Sequence, residues 1–288
     1  MRGVARIALM VQSRSLSVES GRRDLVTACL EARTVPRLKR RAAANVARVT
    51  TPATFVLIHG AWHGAWCWHK LVPLLTAQGH RVVAPDLPSM GDDSTPASSV
   101  TLDSWARFVA DLVAEQPEPV VLVGHSRGGI VISQAAELVP GRIARLVYLS
   151  AYLLPAGETL ADAARADEGS LVPVNMVPAA TGVTCTLRPR VVRDAFYGHC
   201  SDADVEFARA RLSPEPLKPL VTPLTVTPGN FGRVPRAYIE SRDDKTVSHA
   251  AQRLMQARLP CDPVFTLDGD HSPFLSAPQD LARILISI

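Results

Sequence analysis

From residue 54 onward the chain alternates between two apolar rhythms. Short continuous runs rich in β-branched residues, TFVLIHG (54–60), HRVVAPDLP (80–88), EPVVLVGH (118–125), IARLVYLSAY (143–152) and RVPRAYIE (233–240), read as strands buried on both faces. Between them lie segments with helical spacing. These are WHKLVPLLTAQG (68–79), LDSWARFVADLVAEQ (102–116) and the stretch from Gly128, in which Ile130, Val131, Ala135 and Leu138 recur until Pro140 and Gly141 end it. Strands alternating with helices predict an α/β architecture, a mostly parallel sheet with helices on both faces. The rhythm breaks after Tyr152. Residues 153–232 are rich in Pro, Ala and Arg and hold only short helical patches such as SDADVEFARARL (201–212). They are expected to form an insertion over the carboxyl ends of the strands, where open α/β sheets bind ligands.

The 288 residues suffice for one sizeable domain with an inserted subdomain, and 47% hydrophobic with 20% charged residues is a globular composition. No apolar run approaches the ~20 residues that span a bilayer, so no membrane insertion is expected. The formal charge of +4 conceals an asymmetry. Residues 1–50 carry eleven Arg or Lys against three acids, leaving twenty against twenty-four for residues 51–288. The folded part is mildly acidic and shows no nucleic-acid footprint. Residues 1–52 are read as a flexible Arg-rich extension, without a convincing secretory or twin-arginine signal, and 53–288 as the folded domain. Activity is expected to survive a start near Thr51. Cys29, Cys67, Cys185, Cys200 and Cys261 have no metal or disulfide spacing, which suits a reducing, cytoplasmic setting; Cys185 and Cys200 are the pair that could join if the protein were exported.

Candidate chemistry centres on Gly124-His125-Ser126-Arg127-Gly128, a G-x-S-x-G pattern between a strand and a helix that reads as a nucleophile elbow. Such a turn exposes the serine Oγ beside a helix N-terminus, and its glycines are required because side chains would clash as the bend tightens. A phosphate-binding loop is excluded, since no lysine follows. A serine hydroxyl needs a base. Of eight histidines, His271 is the best placed, in the loop of FTLDGDHSPFLSAP (265–278) after a late strand and before a helix near Pro278. The strand end AYIESRDDKTVS (237–248) offers Asp243 and Asp244 as the carboxylate that orients an imidazole. Asp86 is read as turn-forming, Asp268 and Asp270 as loop hydrogen-bonders, His63 as structural, and His69 and His80 as surface positions. In LIHGAWHGAW (57–66), Gly60 and Ala61 are small enough to turn a backbone N–H toward the serine. Trp62, beside that turn, is the tryptophan expected to touch substrate, with Trp66 and Trp68 as wall packing.

Four segments, FVLIHGAWHGAWCWHKLVPLLTAQGHRVVAPDLPSMGDD, VLVGHSRGG, AYIESRDDKTVSHAAQ and DGDHSPFLSAPQDL, resemble the α/β-hydrolase superfamily, and within it the plant methylesterase and hydroxynitrile lyase family with its bacterial relatives. The resemblance runs from about residue 54 to residue 288. It implies the α/β-hydrolase fold, with a mainly helical cap at 153–232. It also implies Ser126 as nucleophile, Asp244 as acid, His271 as base, and the backbone amides of Ala61 and Arg127 as oxyanion donors. No metal or organic cofactor is implied. The similar lyases carry threonine at the place of Gly60 and lysine at the place of Ser272, so the departure here favours a serine carboxylesterase for a small apolar or aromatic ester. A lyase or cyclase using the same triad, and a ligand-binding protein of low turnover, are the alternatives. The partner expected is a small-molecule ester, and a homodimer is compatible with the reading.

Overall fold

A computed structural model describes residues 52–288. The extension and Cys29 lie outside the described residues. Six strands form one sheet: β1 (Thr54–Ile58), β2 (Arg81–Val83), β3 (Val120–His125), β4 (Ile143–Leu149), and, after an insertion holding β5 (Met176–Pro178), β6 (Thr184–Leu187) and β7 (Glu215–Pro216), β8 (Arg236–Ser241) and β9 (Val264–Leu267). The main order is β2-β1-β3-β4-β8-β9, with every neighbouring pair parallel. Chain order reverses between β1 and β3, so the loops leaving these two adjacent strands diverge and open a crevice at their carboxyl ends.

The sheet is buried on both faces, which is why its strands read as continuous apolar runs. In β1, Val56 and Ile58 join one core with Trp105, Ile130 and Tyr148, while Phe55 and Leu57 point into the other with Val123, Leu149 and Phe274. The helices that cover these cores are α1 (Leu71–Thr76), α2 (Leu102–Ala114), α3 (Gly128–Leu138), α4 (Leu160–Ala166), α5 (Val192–Phe196), α6 (Asp202–Arg209), α7 (Leu217–Leu220), α8 (His249–Arg258), α9 (Pro273–Ser276) and α10 (Pro278–Ser287). Helix α2 starts at a reciprocal cap, Thr101 accepting from the Ser104 amide and Ser104 from the Thr101 amide. Among the described residues no helix is long and apolar enough to cross a membrane.

Three differences from the sequence reading have local causes. The helix expected over 68–79 is reduced to the short α1, preceded by a 3₁₀ turn, Ala65–Trp68; Pro73, which lacks an N–H to donate back one turn, stands in the first turn of α1. The insertion, whose regular structure is mainly the helices α4 to α7, also holds strands that its sequence does not announce, β5, β6 and β7, paired into a small antiparallel sheet. His80 is buried and not at the surface: its Nδ1 accepts from the Ala53 amide at 3.1 Å and its ring meets Phe55 edge-on. Cys185 and Cys200 are both buried free thiols, so the conditional pairing is not made.

Candidate active site

Ser126 sits between β3 and α3 with φ = 53°, a left-handed conformation that a serine adopts only under constraint from its surroundings. The constraint is visible in the backbone. The Ser126 amide donates to Leu149 O at 3.2 Å, and the amides of Tyr152 and Gly129 donate to Ser126 O at 3.1 and 3.0 Å. A Cβ at Gly124 would lie 2.8 Å from Gly128 O, and one at Gly128 would lie 2.7 Å from Ile58 O. Both glycines of the pattern are therefore sterically required, and the turn presents Ser126 at the head of α3.

Of the two adjacent carboxylates, the structure brings Asp244 to His271. His271 Nδ1 lies 2.7 Å from Asp244 Oδ2, and both side chains are sealed from solvent. An ionised carboxylate only accepts, so Nδ1 carries the proton and Nε2 is left as the basic nitrogen. Asp244 Oδ1 accepts from the amides of Thr246 and Val247 at 2.7 and 3.0 Å. Burial pushes its carboxyl above the usual carboxylate range, opposed by His271 and those two amides. Asp243 instead faces outward, half exposed, 3.3 Å from His199. The His271 loop is pinned by Asp270, which accepts from the amides of His199 and Ser272 and from Ser276 Oγ. It is pinned again by His125, whose Nε2–H donates to His271 O at 2.8 Å and whose ring lies 4.5 Å from that of His271. The residue before the serine thereby places the histidine loop alongside the elbow.

The turn after β1 approaches from the other side. Gly60 O accepts from His59 Nδ1 at 2.9 Å and from Arg127 Nη2 at 3.0 Å. Ala61 O accepts from His63 Nδ1 at 2.7 Å, and Tyr197 OH closes on His63 Nε2 at 2.7 Å. His63 is thus a structural histidine, as read, and its burial pushes its pKa down to about 3. Trp62 has φ = 62°, and its amide donates to Glu215 Oε2 at 3.0 Å. Among the described residues, neither the Ala61 nor the Arg127 amide donates to a protein acceptor. A cavity of about 350 Å³ is lined by Ser126, Ala61, Trp62 and Arg127, with Leu160, Met176 and other apolar groups of the insertion above them. Trp62 therefore lines the cavity, whereas Trp68 is packed against Phe274 and His125 and Trp66 against His63. A wider groove of about 740 Å³ between α4 and α8 contains none of Ser126, Asp244 and His271.

Sequence reasoning missed Glu215 and the side chain of Arg127. They form a fully buried ion pair, Nε to Oε1 2.9 Å, across 88 residues of chain. Glu215 lies in the Pro-rich LSPEPLKP (212–219), where no periodicity marks a buried position.

This geometry has the company that its topology suggests. The model of the alpha/beta hydrolase family matches residues 55–284. The Arabidopsis thaliana protein named as a chloroplastic methylesterase 11 is 32% identical over 246 residues, covering 81% of this chain. This chain spans only 63% of that relative's length. Among solved structures, a methylesterase of Arabidopsis, MES16, aligns at 30% identity with a TM-score of 0.70, covering 82% of this chain and 98% of that one. A pyrethroid hydrolase from Sphingobium faniae JZ-2 aligns at 32% identity with a TM-score of 0.73, covering 82% and 97%. The chain belongs to the α/β-hydrolase family, in its methylesterase-like branch.

Proposed function

We propose that the protein is a serine carboxylesterase that cleaves small apolar or aromatic esters through an acyl-enzyme. The observation that carries the reading is what the carboxyl ends of four strands bring together: the strained Ser126 after β3 shares one cavity with the unengaged amides of Ala61 and Arg127, and the Asp244–His271 pair from the loops after β8 and β9 is tied to the residue before the serine through His125. In this mechanism His271 Nε2 takes the Ser126 proton as Oγ attacks the ester carbonyl. The carbonyl oxygen becomes an oxyanion facing the two amides, and a single such donor is worth about 3 kcal/mol in transition-state stabilisation. Collapse expels the alcohol, which takes the proton from His271. Water, deprotonated by the same nitrogen, then releases the acid and restores Ser126. Asp244 holds the imidazole in the tautomer required and stabilises its protonated form.

The apolar lining of the cavity supports an apolar or aromatic acyl or alkyl group, and its volume of about 350 Å³ supports a small one. The names of the relatives, methylesterases and a pyrethroid hydrolase, point the same way. Lyase chemistry of the threonine-bearing kind is disfavoured by sterics. A Cβ at Gly60 would lie 2.8 Å from His125 Nδ1 and 2.9 Å from Ser126 Cβ. Turnover of a panel of aryl and methyl esters beside mandelonitrile, with mass-spectrometric mapping of a fluorophosphonate adduct, tests the reading. Ester hydrolysis with the adduct on Ser126 is expected; cyanide release without ester hydrolysis would overturn it.

A further inference from the structure

The pair Arg127–Glu215 is buried to 1% and 0% exposure beside the cavity, where two charges are costly to hold and an apolar pair of similar volume would pack at least as well. Its hydrogen bonds show what the charges do there. The turn 60–62 contains two consecutive peptide units with four polar ends. Gly60 O is held by Arg127 Nη2 and His59, Ala61 O by His63, and the Trp62 N–H by Glu215 Oε2. The fourth end, the Ala61 N–H, has no acceptor among the described residues. In a trans peptide the carbonyl and the following N–H point in opposite directions. Pulling Gly60 O toward the guanidinium therefore turns the Ala61 N–H away from it, and Ala61 is one of the residues that line the cavity. Glu215 acts on the next unit, holding Trp62 at its left-handed φ of 62°. One carboxylate bridges the two halves, taking Trp62 N on Oε2 and Arg127 Nε on Oε1 at 3.0 and 2.9 Å. The guanidinium is braced from a third side, 4.2 Å above the Trp105 ring.

We infer that the Arg127 and Glu215 side chains are positioning residues for the oxyanion hole: an ion pair shared between the elbow and the insertion that aims the Ala61 amide at the reacting carbonyl. The inference rests on the esterase reading for the identity of that carbonyl, but its geometry concerns the donor alone. Glu215 belongs to β7 of the insertion, so the segment that roofs the cavity also sets the donor in its floor.

The test compares Arg127→Met, Glu215→Leu and the double variant with the wild type. It reads kcat and KM on an aryl ester, the melting temperature, and the inhibition constant of an aryl trifluoromethyl ketone, whose adduct with a serine carries the oxyanion. Each single variant is expected to lose about 10²-fold or more in kcat, the size of one lost donor, with KM changed less than about threefold and the ketone weakened in proportion to kcat. Each also leaves one buried charge without its partner and melts lower. The double variant removes both charges and is expected to recover much of the melting temperature while kcat and ketone affinity stay low. A merely structural pair predicts the opposite, with activity returning as stability returns, and that result overturns the inference. Unchanged ester turnover in the double variant overturns it too while leaving the esterase reading intact. A wild type that forms the ketone adduct yet hydrolyses no ester, with the adduct lost in the double variant, supports the pair and sinks the esterase reading. A wild type that does neither overturns both.

Discussion

The Asp244 carboxylate and the His271 imidazole meet at 2.7 Å although 27 residues separate them, and each is held by a different strand-end loop of the sheet. Asp244 has its second oxygen tied to the Thr246 and Val247 amides, so the carboxylate cannot swing away from the ring. Its neighbour Asp243 points to solvent. Asp244→Asn is therefore expected to cost on the order of 10⁴-fold in kcat by favouring the wrong tautomer of His271. Asp243→Asn is expected to stay within about threefold of wild type, as for other exposed positions. Steady-state kinetics of the two variants on one aryl ester decide it; equal losses would rule out Asp244 as the carboxylate that orients His271.

Ser126→Ala should retain the fold, because the turn depends on Gly124 and Gly128 and on backbone hydrogen bonds that alanine preserves. Alanine adopts φ near 53° no more readily than serine does, so a small change in melting temperature is expected in either direction. The loss in kcat is expected to approach ~10⁶-fold. Residual turnover above a few per cent, in a preparation free of wild-type enzyme, would rule out Ser126 as nucleophile.

What the sequence disclosed and what it hid divide along a physical line. The elbow was legible because its requirements are local: Gly124, Ser126 and Gly128 must be what they are within five residues of one another. The sheet was legible because strands buried on both faces are continuous apolar runs. Asp243 and Asp244 were indistinguishable by residue type and separated only by which one β8 turns inward. The partnership of Arg127 with Glu215 was invisible, since the glutamate's burial is produced by the fold of the insertion and not by any pattern around it. His80 misled because a turn position beside a charged residue reads as surface, whereas the N-terminal edge of β1 covers it.

Gly60 tests how closely the turn after β1 is seated on the turn that carries Ser126. Its would-be Cβ at 2.8 Å from His125 Nδ1 and 2.9 Å from Ser126 Cβ meets side chains that are themselves fixed, so neither can retreat freely. Gly60→Ala is expected to cost about 1–3 kcal/mol by overpacking and at least about tenfold in kcat, because relief requires separating the turn from the serine. Gly141→Ala is the control, with open space around its Cβ and an ordinary φ, and is expected to be neutral or slightly stabilising. Parallel melts and kinetics check both. Full activity in Gly60→Ala would show that the turn has slack that the packing does not suggest.

Acid sensitivity should come from histidines rather than from surface carboxylates. His59, His63 and His125 are all buried, and burial lowers the pKa of each, that of His63 from 6.5 to about 3. The folded protein keeps these rings neutral, in tautomers fixed by Gly60 O, Ala61 O and His271 O. The unfolded chain protonates them near pH 6.5. Stability contributed by the neutral rings is thus fully present above that pH and is lost as pH falls toward the folded-state values. Each histidine adds up to about 1.4 kcal/mol per pH unit to the slope, so the three together give about 4. The free energy of unfolding, measured by denaturant titration, is expected to drop steeply between about pH 6 and pH 5, before most carboxylates titrate. His63→Gln should flatten the slope by one proton's worth while lowering stability at pH 7.5 through loss of the Tyr197 and Ala61 hydrogen bonds. A free energy that stays level down to pH 5 would mean that the rings find protons, or water, inside the fold.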